Sequence, residues 1–154
     1  VGTAGIDTRV AAVTLSAGPL DPQAVLAAVA RPSAGGNVLF VGTTRDRTGD
    51  QATDRLEYEA HGDLAAAMLE RLCSEAAETF DLAAVAVAHR LGLVEPGEPS
   101  VALATSAAHR REAFAAAEWL MERIKREVPI WKCEHRPDGG REWVHGDAMP
   151  GGGS

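Results

Sequence analysis

The sequence predicts an α+β fold, and three observations carry that prediction. Strand-like and helix-like patterns follow one another as β-α-β-β-α-β-β-α-β-β, without the regular βαβ alternation of a doubly wound sheet. Several strand pairs are joined by stretches short enough for hairpins. No GxGxxG and no Walker-type phosphate loop is present.

The elements follow in order. Val10 to Leu15 reads as a first strand. Asp21-Pro22 opens a helix, with Asp21 as N-cap and proline at the first helical position, and the helix stops near Arg31-Pro32. Gly35-Gly36 marks a turn. Asn37 to Gly42 is wholly apolar but for its first residue, which predicts a strand buried on both faces. Residues 43–54 read as a polar, glycine-containing loop, and Arg55 to Ala60 as an alternating strand. Asp63 starts a second helix carrying Leu64, Ala67, Met68, Leu72 and Ala76. Leu82 to Arg90 and Ser100 to Thr105 are strands. Between them, Glu95-Pro96-Gly97-Glu98 has proline and glycine where a type II turn requires them. A third helix is expected from about Ala108 to Glu127, with Thr105 or Ser106 as N-cap and an apolar arc of Phe114, Ala117, Leu120, Met121, Ile124 and Val128. Pro129 ends it. Ile130 to His135 and Arg141 to His145 form a hairpin across a Pro-Asp-Gly-Gly turn. One domain is expected over residues 10–147, between a flexible N-terminus at 1–9 and a flexible glycine-rich tail at 148–154.

Composition narrows the function. The formal net charge of −7 argues against general nucleic-acid or anionic-membrane binding. No run of apolar residues reaches the length that spans a bilayer, and no leader segment is evident, so a cytoplasmic protein with reduced thiols is expected. Cys73 and Cys133 lack metal-ligand spacing, so no metal and no cofactor are expected. Of the 15 Lys and Arg residues only two are lysines, Lys125 and Lys132, seven positions apart. Arg is a fixed cation, whereas an amine can lose its proton and act as base or nucleophile. The two lysines are thus either surface residues or a functional pair.

Three places could carry chemistry. His109, Arg110 and Arg111 open the third helix, where free backbone N–H groups favour an anion; a structural ion pair with Glu112 is the alternative. Arg45 follows the apolar strand at the start of a loop, as a ligand contact or as part of a surface charge cluster with Asp46 and Arg47. Lys125 falls roughly 20° from Phe114 on a helical wheel, which places it at the edge of the buried face. Partial burial there would favour the neutral amine. Lys132 and Cys133 lie in the apolar run just beyond. His61, His89, His135 and His145 read as structural or surface residues, and the three tryptophans as core or interface. The residues alone fit an enzyme acting on a phosphorylated small molecule through an amine, a binding module for an anionic ligand, or a Schiff-base enzyme using Lys125.

The stretches GNVLFVGTTR (36–45), LEYEA (56–60), HRLG (89–92), SAAHRREAF (106–114) and VPIWKCE (128–134), closed by Trp143-Val144, resemble the large, catalytic subunit family of molybdopterin synthase. The likeness spans nearly the whole chain. It implies an α/β-hammerhead-like domain with an additional antiparallel β subdomain. It implies a sulfurtransferase that converts cyclic pyranopterin monophosphate (precursor Z) to molybdopterin. The sulfur would come from the C-terminal Gly-Gly thiocarboxylate of a small ubiquitin-like carrier subunit, within a heterotetramer built on a homodimer of large subunits. Carried over by position, the essential lysine falls on Lys125 and the second on Lys132. Substrate contacts fall on Thr43, Thr44 and Arg45, on His109 and Arg110, and on Lys132, Cys133 and Glu134. The chain departs from the family pattern at Cys133 and Thr43, where a basic residue is frequent, and at His61, where tyrosine is.

Overall fold

A computed structural model describes residues 6–144. The tail expected at 148–154, His145 and most of the expected N-terminal segment lie outside the described residues.

Among the described residues the fold has two four-stranded sheets, a two-stranded ribbon and three helices. The first sheet has the order β1-β6-β8-β2, from β1 (Val10–Ser16), β2 (Gly36–Thr43), β6 (Leu82–Arg90) and β8 (Pro99–Ala107). Only β1 and β6 run parallel; the other pairs are antiparallel. The second sheet is wholly antiparallel, with order β10-β9-β5-β7, from β5 (Arg55–Ala60), β7 (Gly92–Val94), β9 (Ile130–His135) and β10 (Arg141–Val144). This is the α+β class, with the additional antiparallel sheet. Residues 43–54 are not simply a loop. They hold a two-stranded ribbon of β3 (Arg47–Thr48) and β4 (Gln51–Ala52), closed by Gly49 at φ +62°.

Alternation along β6 explains the layering. Val85 and Val87 face α2 (Gly62–Thr79) and α3 (Arg110–Glu127), whereas Ala84 and Ala86 face α1 (Pro22–Ala28) on the other side. Small residues on the α1 face let that short helix approach through Val29. The main core lies under α2 and α3, where Leu69, Leu72, Leu103 and Leu120 have no exposed surface. Burying each such side chain stabilises the fold by about 1.5–3 kcal/mol.

The local signals largely act as read. Asp21 Oδ1 accepts from the Ala24 N–H at 3.3 Å, and Pro22 opens α1. The 95–98 turn has Gly97 at φ +86° and a Glu98 N–H to Glu95 carbonyl bond of 3.0 Å. Four expectations change. The strand at 37–42 is β2, an edge strand with Phe40 42% exposed, because its apolar run covers only one neighbour. The buried stripe of α2 is Ala65, Leu69, Leu72, Cys73, Ala76 and Ala77, leaving Leu64 exposed. In α3 the stripe is Ala113, Ala116, Ala117, Leu120 and Ile124, and Phe114 is 61% exposed. The N-cap of α3 is His109, because β8 runs on to Ala107 and takes Thr105 and Ser106 into the core. There the Thr105 hydroxyl donates to the Ala113 carbonyl at 2.8 Å and the Ser106 hydroxyl to the Val29 carbonyl at 2.7 Å.

Candidate active site

Pro129 ends α3 and turns the chain directly into β9, so the last turn of α3 and the start of the second sheet meet. Between them and the ends of β2, β6 and β8 lies a cavity of about 510 Å³. Ligand pockets generally fall within about 300–1,000 Å³. Lys125 enters from α3 and Lys132 from β9. Thr43 and Arg45 come from the end of β2 and the segment after it, and Glu134 from β9. Apolar walls are supplied by Val101, Met121, Ile124 and Val128 among others. Lys125 itself is an exposed residue beside buried Ile124, so its stem follows the apolar wall while its head stays accessible.

The segment carrying Arg45 is held at both ends. The Thr44 N–H donates to the Glu98 carbonyl at 3.1 Å, and the Gly97 N–H to the Thr44 carbonyl at 2.8 Å. The Thr53 N–H donates to the Asp46 carbonyl at 2.8 Å. Arg90 ion-pairs with Glu98 at 3.3 Å, which ties the 95–98 turn to the end of β6. The Glu98 carboxyl is held below its usual range by the Glu95 N–H, then by Arg90. Arg45 thus sits on a segment fixed by backbone bonds, and its charge points from a rigid base.

Not every expected contact reaches the cavity. Thr44 is 3% exposed and its hydroxyl is buried without a partner, so its backbone rather than its side chain shapes the site. Cys133 lies between Lys132 and Glu134, and alternation turns it to the other face of the sheet. There it pairs across strands with Glu57 and Trp143 and has no exposed surface. Burial pushes its thiol up and keeps it from the cavity. His109 and Arg110 are exposed at the opposite end of α3. Lys125 is fifteen helical steps from Arg110, or roughly 22 Å. Within one chain that anion corner and the lysine cavity are therefore separate places.

Several cavity residues were not singled out from the sequence, an aromatic pair and a serine among them. Tyr58 of β5 and His89 of β6 line it, with ring centroids 4.9 Å apart at 73°, and so does Ser100 of β8. Burial pushes the Tyr58 phenol up; a hydrogen bond with Ser100 works against that, and the Glu134 charge adds to it. His89 is 8% exposed and burial pushes its imidazole down, opposed by its bond to the Arg90 carbonyl. Both rings stand in the stretches LEYEA and HRLG that carried the resemblance, which was the available signal.

With this geometry in view, comparison with known proteins is decisive. The family described as MoaE protein matches residues 15–127. The chain belongs to the MoaE family. Among its relatives, a molybdopterin synthase catalytic subunit of Emericella nidulans is 47% identical over 124 residues, 80% of this chain and 64% of that protein. The chain thus spans slightly under two thirds of the fungal relative's length. A molybdopterin synthase catalytic subunit of Bacillus subtilis is 39% identical over 131 residues, 85% of this chain and 82% of that protein. The MoaE fold is shared with a solved structure, molybdopterin synthase from Staphylococcus aureus, at TM-score 0.81 and 31% identity, covering 85% of this chain and 95% of that one.

Proposed function

We propose that the protein is the catalytic subunit of a molybdopterin synthase. It converts precursor Z to molybdopterin with sulfur from the C-terminal thiocarboxylate of a small ubiquitin-like carrier. The observation that carries this reading is the meeting of Lys125, Lys132 and Arg45, from three different elements, on one cavity. Membership of a family whose relatives bear that name supports it.

The chemistry follows from the groups present. A thiocarboxylate and a phosphate are both anions, and Arg45 with the two lysines makes one side of the cavity cationic. As sulfur displaces oxygen at carbon, charge builds on the leaving oxygen. Lys125 stands where an amine can supply a proton to it or stabilise that charge. Lys132, five residues past the end of α3, supports the substrate and the carrier tail. Apolar walls exclude water from the bond being made. Glu134 adds a carboxylate to the same lining.

His109 and Arg110 enter this account through a second copy of the chain. In a homodimer at the core of a heterotetramer, the exposed corner of one copy reaches the cavity of the other and holds the phosphate. Their exposure, and the helix length that keeps them from their own cavity, support this arrangement. The reading places the protein in the cytoplasm, where its two free thiols stay reduced.

Reconstitution tests the proposal. The full chain is mixed with thiocarboxylated carrier and precursor Z, and the dithiolene product is followed by mass. Formation of molybdopterin is expected. Absence of product, with a carrier that is active beside another synthase, would leave the protein as a binder of a phosphorylated pterin or another small anion.

A further inference from the structure

The wall of the cavity formed by Tyr58, His89 and Ser100 enters none of the steps above, yet the proton position of its histidine is defined. His89 Nδ1 lies 2.8 Å from the Arg90 carbonyl oxygen. A carbonyl oxygen only accepts, so Nδ1 carries the proton. Burial opposes a second proton on the ring. His89 is therefore held as one neutral tautomer, and its Nε2 offers a lone pair. Among the described residues no protein group bonds to that nitrogen. His89 is 8% exposed and lines the cavity.

Ser100 lines the same wall, its hydroxyl donating to the Gly42 carbonyl at 3.3 Å. This wall therefore offers the Nε2 acceptor of His89, while the lysine side offers cations. A ligand that satisfies both is anionic at one end and carries N–H donors at the other. Val101 and Ile124 add apolar surface to the same cavity.

We infer that His89 is a ligand-binding residue, whose Nε2 accepts a hydrogen bond from the N–H edge of a heterocycle that has its anionic arm on Arg45 and the lysines. The inference rests on the pterin reading above for the identity of that heterocycle. A pterin presents an amide-type ring N–H and an exocyclic amine side by side, which is the complement this wall requires. A buried acceptor left unpaired is costly, so His89 also selects against rings that lack the donor.

The test uses the full chain and two fluorescent probes. One is a pterin with a 6-carboxylate arm. The other is its counterpart methylated on N3 and twice on the 2-amino group, with no N–H on that edge. Wild type is expected to bind the first about tenfold tighter. His89→Leu is expected to lose about tenfold on the first and nothing on the second, and His89→Gln, whose amide oxygen can accept, to recover part of the loss. In turnover, His89→Leu should raise KM for precursor Z about tenfold and leave kcat within about threefold. Unchanged binding of the parent pterin by a normally melting His89→Leu chain overturns the inference. So does equal binding of both probes by wild type, which needs no variant. Failure of wild type to bind either probe overturns the pterin reading itself, and the inference with it.

Discussion

His109 and Lys125 stand at opposite ends of α3, the first as its N-cap and the second in its last turn. The sixteen helical steps from one to the other correspond to roughly 24 Å along the axis. Any chemistry that needs both requires two chains. Arg110→Ala and Lys125→Ala should each be inactive alone. Unfolded together and refolded as a mixture, they should regain about a quarter of wild-type turnover, because half the dimers are mixed and each mixed dimer has one intact site. Steady-state assay of the mixture checks this. No recovery would restrict the site to one chain.

Gly36 sets where that helix begins. A Cβ on it would lie 2.7 Å from the Arg110 backbone nitrogen and 2.8 Å from its Cα. Backbone cannot yield as a flexible side chain can. Gly36→Ala should cost about 1–3 kcal/mol in denaturant unfolding and lower turnover by displacing His109 and Arg110.

The thiols provide a test of the sheet's facing. Cys73 is pushed up to about 12 by burial and then by Glu70, and Cys133 is also pushed up, chiefly by burial. Neither has exposed surface. A thiol reagent at pH 8 should label neither in the native protein and both in denaturant. Fast native labelling of Cys133 would place it on the cavity face after all.

Acid sensitivity should include the N-terminal tether. Asp7 is held well below the usual carboxylate range, first by Arg9 and then by Ser74, whose hydroxyl donates to it at 2.7 Å. A depressed carboxyl stabilises the fold above its unfolded value near pH 3.8 and loses that contribution as pH falls below it. Asp7→Asn should therefore lower stability by about 1 kcal/mol at pH 7 and by much less at the lowest pH at which the fold survives. Urea midpoints across that range check the sign.

How much of this could be read beforehand follows from the range of each signal. Asp21-Pro22, the Pro96-Gly97 turn and Pro129 act within a few residues, and all are where the sequence puts them. The edge position of β2 depends on a partner near residue 100, which its own apolar run does not reveal. The phase of α2 was misread because alanines make several stripes equally apolar, and only packing selects Ala65, Leu69 and Leu72. Lys125, Lys132, Arg45, Thr43 and Glu134, distant in sequence, line one cavity. Tyr58 and His89 were missed because each sits in an ordinary strand, and their meeting depends on how the two sheets pack.

The central claim is that an amine at Lys125 drives sulfur transfer in this cavity. Lys125→Arg keeps a cation and nearly the same reach, but a guanidinium does not exchange its proton at neutral pH. Single-turnover conversion of precursor Z with saturating thiocarboxylated carrier compares it directly with wild type, and carrier binding is measured alongside. The account predicts intact carrier binding and at least about a hundredfold loss of the rate, as removal of a general acid or base produces. A Lys125→Arg protein that forms molybdopterin at the wild-type rate would contradict it.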